Sequence, residues 1–150
     1  MKIYEAQLQY SLVREGATTP LNLPMQAYQY MADAFDRNPM QESFWVICLN
    51  QKNHAIGRTM ISLGTANAAL VNPAEIFRVA ILSNATGIVV VHNHPSGDPG
   101  PSRADVSITR KIRDCASLMN IPLIDHLICG DPKSDPQGLG FYSFREAGLI

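Results

Sequence analysis

The sequence predicts an α/β fold in which helices cover the two faces of a β-sheet. Candidate strands and helices alternate along the 150 residues in the order β-α-β-β-α-β-α-β-β. Hydrophobic residues make up 46% of the chain, which is enough for a domain with its own core. Helices that connect strands pack on the faces of a sheet, so this alternation favours a sandwich. Because no internal repeat or linker divides the chain, we expect residues 1–150 to form a single domain.

Hydrophobic periodicity and turn residues predict the elements of the first half. A helical stripe ends at the Asn38-Pro39 pair, which disfavours a further helical turn. The stripe consists of Met25, Tyr28, Met31, Ala32 and Phe35. The predicted elements are a strand at 3–13, a helix at 25–37 and a hairpin of strands at 42–50 and 54–63.

Capping residues and an apolar run define the elements of the second half. Asn72 is a suitable N-cap residue, and Pro73 suits the first helical position. The valine-rich run at 87–91 is typical of a buried strand. The predicted elements are a helix at 73–83, a strand at 87–92, a helix at 102–120 and strands at 122–129 and 141–144.

The charge balance argues against a general nucleic-acid-binding protein. Charged residues account for 17% of the chain, and the formal net charge is −1. One segment is richer in cations, and we interpret it as the solvated face of a helix. Its members are Arg103, Arg110, Lys111 and Arg113.

Cysteine usage and hydropathy predict a soluble cytoplasmic protein without a membrane partner. The three cysteines, an odd number without a CxxC pair, indicate a reducing compartment rather than a disulfide framework. They are expected to be core residues: Cys48, Cys115 and Cys129. The first seven residues lack the apolar stretch of a signal peptide, and no run approaches the ~18 apolar residues that a membrane helix needs.

Two histidines at the end of the 87–92 strand are the strongest functional signal. Residues two apart on a strand point to the same side, so His92 and His94 can face one point. The loop at 95–101, with three prolines and two glycines, can return the first turn of the next helix towards them. Ser102 and Asp105 alone are typical of a helix N-terminus, but here Asp105 can join the histidines. Two imidazoles and one carboxylate suit catalytic zinc with an open fourth position.

The segment 92–105 resembles the JAMM metalloprotease motif, H-x-H-P-x6-S-x2-D, at every fixed position. The same segment, together with 123–130 and 143–146, resembles the bacterial RadC-like branch, and the likeness extends over about 25–147. It implies the MPN/JAB fold, a cytidine deaminase-like mixed sheet sandwiched by helices. It also implies one Zn²⁺ per chain, bound by His92, His94 and Asp105, and a Ser102 that hydrogen-bonds the substrate oxygen or its tetrahedral intermediate.

A JAMM site also requires a glutamate upstream of the motif to activate water. The candidates are Glu5, Glu15, Glu42, Glu75 and Glu146. Glu146 follows the motif, Glu75 belongs to the start of its own helix, and the first two lie outside the resembling core. Glu42 precedes an apolar strand, where the family places its glutamate, and we therefore predict it as the general base.

The resemblance implies a zinc-dependent metallopeptidase or isopeptidase that hydrolyses an amide bond of a peptide or protein substrate. Two alternatives stay open: a DNA-repair or mobile-element accessory protein, suggested by family association, and a non-catalytic MPN interaction module. Longer relatives carry an N-terminal helix-hairpin-helix region, which we do not expect here. A zinc deaminase would need H-x-E and P-C-x-x-C, and neither occurs. Substrate identity and oligomeric state are left open by the sequence.

Residues around the motif have weaker signals. His126 lies beside Asp125 in an apolar strand; we predict a structural histidine, with a role beside the ligands left open. Asn93 is expected to point away from the ligands and support the loop, and Asp98 to set the turn. The loops at 65–72 and 130–140 are candidate specificity loops.

Overall fold

A computed structural model of the protein describes Met1 and residues 19–64 and 71–150. The predicted strand at 3–13 and most of the 65–72 loop lie outside the described residues. The described elements, in chain order, are α1 (Pro24–Tyr30), β1 (Ser43–Leu49), β2 (Ala55–Leu63), α2 (Pro73–Leu82), β3 (Gly87–Asn93), α3 (Arg103–Met119), β4 (Leu123–Cys129) and β5 (Phe141–Ser143).

The five described strands form one mixed sheet in the order β2-β1-β3-β4-β5. β1 is antiparallel to both β2 and β3, β3 is parallel to β4, and β4 is antiparallel to β5. A parallel pair needs a long crossover, which α3 provides between β3 and β4. The predicted mixed α/β architecture is therefore confirmed.

A separate hydrophobic core fills each face of the sheet. Ile76 and Phe77 of α2 and Ile108 and Ile112 of α3 pack on one face. Met31, which follows α1, belongs to the core on the other face. The sheet is buried between these layers because successive side chains of β1 and β3 point alternately into the two cores.

The first helix is shorter than the spacing predicts. Its regular part ends at Tyr30 rather than Arg37, and turns follow. Nη1 of Arg58 on β2 donates to the Tyr30 carbonyl, and the Ala34 N–H bonds Met31 O instead. The tertiary contact thus takes the acceptor that a continuing α-helix would use.

Both ends of α3 have well-defined caps. Ser102 and Asp105 form a capping box, in which each side chain binds the backbone N–H of the other. Asn120 ends the helix in the left-handed conformation at φ 54°. The predicted cationic residues of α3 are exposed, as expected. Among the described residues, no helix has both the length and the hydrophobicity to cross a membrane.

Candidate metal centre

The strand pairing brings the predicted ligands and the predicted base to one edge of the sheet. In the antiparallel pair β1–β3, Phe44 lies opposite His92, so the residue before β1 lies near the end of β3. The capped first turn of α3 approaches the same edge. His92, His94 and Asp105 consequently form a cluster in which one ligand atom from each lies within 4.8 Å of the others.

The closest contacts of the cluster join atoms suited to metal binding. His92 Nε2 lies 3.1 Å from His94 Nε2 and 3.2 Å from Asp105 Oδ1. His94 Nε2 lies 3.6 Å from Asp105 Oδ2. His92 and Asp105 are buried, whereas 18% of the His94 side chain is exposed. The cluster therefore has one side open to solvent.

The ring of His94 is oriented by its own loop. His94 Nδ1 lies 2.8 Å from the carbonyl oxygen of Asp98, which accepts its proton. The Asp98 side chain sets the turn as predicted, because its Oδ1 accepts from the Gly100 N–H. Burial opposes the charged form of His94, but Asp105, the Asp98 carbonyl and Glu42 outweigh it and raise the pKa of His94.

Asp105 has two roles at the start of α3. Its Oδ2 accepts the Ser102 N–H at 2.7 Å, while Oδ1 is the oxygen nearest to His92. Burial by itself would raise the pKa of the carboxyl group. Contacts with His92, His94 and Ser102 nevertheless hold the pKa of Asp105 far below its usual range, so it is an anion.

The donor atoms of this cluster fit a cation. With its proton on Nδ1, neutral His94 has a lone pair on Nε2, and that lone pair shares a small space with His92 Nε2 and an anionic carboxylate. Acceptors this close repel one another unless a positive charge lies between them. Two imidazole nitrogens and a carboxylate oxygen form a ligand set of the kind used for zinc with an open position.

Glu42 lies beside this cluster, as expected from its position before β1. Burial raises the pKa of its carboxyl group, while the nearby His92 and His94 act in the opposite direction. Its backbone carbonyl accepts the Gly64 N–H, which fixes the chain where β1 begins and β2 ends. Glu42 is half-buried, so its carboxylate can exchange protons with a bound water.

Asn93 supports Glu42 rather than its own loop, which differs from the expectation. Its Oδ1 accepts from the backbone N–H of Ser43 at 2.8 Å and from the Ser43 hydroxyl at 3.0 Å. Its Nδ2 donates to the carbonyl of Gln41 at 3.1 Å. The residues on both sides of Glu42 are thus bound to the residue between the two histidines.

Ser102 is exposed at the N-terminus of α3. Its Oγ accepts the backbone N–H of Asp105 at 3.1 Å. An acceptor role leaves the hydroxyl proton available to a substrate oxygen. One serine can therefore cap the helix and serve as a hydrogen-bond donor at the site.

His126 is not within the ligand cluster but directly behind it. Its Nε2 lies 2.9 Å from His92 Nδ1, and its Nδ1 lies 2.6 Å from the hydroxyl of Thr109. Complete burial, then the neighbouring His92, lower the pKa of His126 well below its usual value, so the ring is neutral. Thr109, two turns into α3, belongs to no sequence motif and so could not be singled out from the sequence.

Asp125 precedes His126 in β4 and forms buried hydrogen bonds with residues around β5. It accepts hydrogen bonds from the hydroxyl of Ser143 and from the backbone N–H groups of Arg145 and His126. Burial raises the pKa of Asp125 in spite of these bonds. Asp125 therefore links β4 to the chain around β5. None of these bonds is to His92, His94 or Asp105.

Two clefts lie against the loop that follows β3, and one of them reaches the cluster. One, of about 380 Å³, lies against His94 and is bounded by Tyr28, Phe35 and Asp131. The other, of about 330 Å³, lies between the 98–101 loop and the residues around Tyr142. Both include residues of the predicted 130–140 specificity loop. The cleft against His94 is the one that could accept a side chain of a peptide held at the cluster.

Comparison with known proteins gives a consistent result. A family model described as the RadC-like JAB domain matches residues 21–149. A UPF0758 protein of Geobacillus sp. (strain WCH70) is 46% identical over 110 residues, or 73% of this chain and 46% of that protein. The UPF0758 protein of Geobacter sulfurreducens is 39% identical over 127 residues, or 85% of this chain and 52% of that protein.

A third relative, the UPF0758 protein YsxA of Bacillus subtilis (strain 168), is 41% identical over 110 residues, or 73% of this chain and 45% of that protein. The chain spans about half the length of the curated relatives it matches. The sheet with helices on both faces agrees with the JAB/MPN fold that the sequence motifs imply.

Proposed function

This chain belongs to the RadC-like JAB domain family, and from that premise we propose that it is a zinc-dependent metallopeptidase or isopeptidase. Its substrate in this proposal is a peptide or protein, and its reaction is the hydrolysis of an amide bond. The observation that carries the proposal is the convergence of the three acceptor side chains with a half-buried glutamate beside them.

The proposal assigns the ion to three residues. His92 and His94 would bind zinc through Nε2, and Asp105 through Oδ1, the oxygen that faces His92. Zinc, when bound, supplies Lewis acidity, which polarises a carbonyl group and makes water a competent nucleophile near neutral pH.

Glu42 moves the proton in this mechanism. Its carboxylate takes a proton from the attacking water as the new carbon–oxygen bond forms, and then delivers that proton to the nitrogen of the leaving amine as the carbon–nitrogen bond breaks. Burial raises the pKa of Glu42, which makes its carboxylate a stronger base for the first of these steps.

Ser102 stabilises the charge that develops on the substrate oxygen. Its hydroxyl oxygen is already used as an acceptor by the Asp105 N–H, so its proton can point to the substrate. Removal of one such donor typically lowers kcat by about 10²-fold or more.

Zinc titration together with turnover of a quenched-fluorescent peptide library tests the proposal. The wild type should bind one zinc per chain, and His92→Ala with His94→Ala should abolish that binding. Glu42→Gln should keep the zinc and lose about 10²–10⁴-fold in rate. Ser102→Ala should also keep the zinc and lose about 10²-fold in rate. His54→Ala is the matched control, since it removes a histidine at the opposite end of β1 and should change neither quantity.

Three results would contradict the proposal. Zinc could fail to bind stoichiometrically, or it could stay bound in the double histidine variant. The peptide library could be cleaved equally well by wild type and Glu42→Gln. Zinc binding with no cleavage of any peptide in the library would favour the non-catalytic interaction module instead.

A further inference from the structure

Behind the ligand cluster, a chain of hydrogen bonds connects Thr109 and His126 to His92. We propose that Thr109 and His126 are positioning residues that select the tautomer of His92 and so hold its Nε2 open for a metal ion. The inference deepens the proposed function by explaining how the ligand is prepared, and it rests on that function only for the identity of the ion.

The direction of the protons begins at a group that cannot donate. The hydroxyl of Thr109 lies 2.6 Å from the backbone carbonyl oxygen of Asp105, four residues earlier in α3. A carbonyl has no proton, so the single hydroxyl proton of Thr109 points to it. The same hydroxyl oxygen lies 2.6 Å from His126 Nδ1, and there it must act as the acceptor.

The tautomers of the two histidines follow in order. Because Thr109 accepts, neutral His126 carries its proton on Nδ1, and its Nε2 is an acceptor. His92 Nδ1, 2.9 Å away, must therefore donate to it. A neutral His92 with its proton on Nδ1 has a lone pair on Nε2, the atom that faces His94 and Asp105.

Aromatic packing keeps the two rings in register. Phe144 stacks on His126 with ring centroids 4.7 Å apart and planes 8° apart. Phe44 stacks on His92 at 5.7 Å and 11°. All these groups are buried, so water does not replace a missing partner. Each proton in the chain is then fixed by the next acceptor.

Loss of the Thr109 hydroxyl should reverse the direction of the hydrogen bond between His92 and His126. In Thr109→Val, His126 Nδ1 faces a methyl group, and a proton left there would have no acceptor. The ring then prefers its proton on Nε2, where it donates to His92 Nδ1. That change moves the His92 proton to Nε2, the position that a metal needs. Zinc binding must then move the His92 proton back to Nδ1. Residues that hydrogen-bond a metal ligand in this way typically account for about 10–100-fold in metal affinity.

The test combines tautomer assignment with zinc affinity. In the metal-free wild type at alkaline pH, ¹H–¹⁵N NMR should show both His92 and His126 protonated on Nδ1. Competition with a chromophoric chelator should show zinc bound about 10–100-fold more weakly by Thr109→Val. Thr109→Ser keeps the hydroxyl and should restore wild-type affinity. Ser117→Ala is the matched control, because Ser117 also donates to a carbonyl four residues earlier in α3 but lies on its exposed face.

The proposed selection of the His92 tautomer is overturned if wild-type His92 carries its proton on Nε2, or if Thr109→Val binds zinc as tightly as wild type. It is also overturned if Ser117→Ala weakens zinc as much as Thr109→Val does. Should Thr109→Val fail to fold, the wild-type spectrum and Thr109→Ser still decide. Should the wild type bind no zinc at all, the proposed function fails. The spectrum of the metal-free protein still decides whether His92 and His126 carry their protons on Nδ1.

Discussion

At the scale of single residues, the site depends on side chains whose hydrogen bonds fix the positions of the candidate catalytic and metal-binding groups. Asn93 is the clearest example, because its amide group binds the backbone on both sides of Glu42 while its neighbours His92 and His94 are in the ligand cluster. Asn93 is 6% exposed, so its bonds to Ser43 are shielded from water. The spacing between Glu42 and the ligands therefore depends on one asparagine.

We expect Asn93→Ala to destabilise the protein by about 1–3 kcal/mol, since it leaves the buried Ser43 N–H without its partner and removes the bond to the Gln41 carbonyl. Urea unfolding measures this difference. Zinc affinity should change little, whereas kcat should fall because Glu42 is no longer fixed. Asn50→Ala is a suitable control, because the Asn50 side chain also bonds the backbone at two residues but does so at an exposed turn. Equal losses of stability in the two variants would contradict this account.

The sequence could predict most of the residues in the cluster, but not the groups that hydrogen-bond and orient the histidine rings. The spacing of His92, His94 and Asp105 follows from strand alternation and from the start of a helix, which are local features. The partners that orient the rings are a carbonyl at Asp98 and a hydroxyl at Thr109. A carbonyl has no sequence signature, and a threonine within a helix has many ordinary roles.

At the scale of elements, the loop after β3 is held by close backbone packing. The N–H of His94 donates to the carbonyl of Cys129, and the N–H of Asp131 donates to the carbonyl of Gly97. Between those contacts lies Gly130, where a Cβ would overlap the Gly97 carbonyl oxygen. The end of β4 thus sets the position of the loop that carries His94 and the Asp98 carbonyl.

Gly130→Ala should consequently move the ligand loop as a unit. We expect zinc affinity to fall about 10-fold or more, because the orienting contact to His94 shifts. Stability should fall by about 1–3 kcal/mol through overpacking. Gly57→Ala on β2 is the comparison, since a Cβ at Gly57 meets nothing within 4 Å. Zinc titration and thermal unfolding measure both effects, and an unchanged zinc affinity in Gly130→Ala would refute the argument.

Element boundaries were predictable where local chemistry defines them. The caps at Asn72 and Ser102 are visible in the sequence, and α2 and α3 begin directly after them. The early end of α1 was not predictable, because it depends on Arg58, a residue from a strand more than twenty positions later. Local periodicity carries no information on such a contact.

At the scale of the whole molecule, each face of the sheet has its own core, and each core contains one buried cysteine. Cys48 lies in the core beneath α2 and α3, and Cys129 lies in the core near α1. Burial raises the pKa of the Cys48 thiol and raises the pKa of Cys129 to about 12. Both thiols are therefore protonated and shielded in the native protein, as the sequence analysis expected of core cysteines.

Alkylation with iodoacetamide should distinguish the three thiols. In the native protein near pH 8, we expect modification only at Cys115, which is half-buried, because the thiolate is the reactive form and both core thiols are protonated. Unfolding in urea should add the other two. Mass spectrometry counts the modified residues, and Cys115→Ser, which should stay unmodified when native, is the control. Rapid native modification of Cys129 would show that its core is open.

A sheet with a core on each face was largely predictable, because apolar runs and helical spacing determine which segments are buried; that the sheet is mixed was implied only by the family resemblance. Strand order was not predictable, since pairing between β1 and β3 joins segments separated by α2 and by residues that no local pattern relates. That long-range pairing brings Glu42 to the ligands. Only the resemblance of the motif to a known family could identify Glu42 before the fold was available.

The capping box of α3 has a consequence for the choice of ion. One oxygen of Asp105 is fixed by the Ser102 N–H, and the other points to His92, so the carboxylate is oriented as soon as the helix forms. Little rotational entropy is then lost when an ion arrives, and the ligand cannot swing into a wide oxygen cage. In the zinc site that we propose, this preorganised set of two nitrogens and one oxygen would discriminate against Ca²⁺ and Mg²⁺, which require more oxygen ligands, and would favour ions that accept a small tetrahedral set.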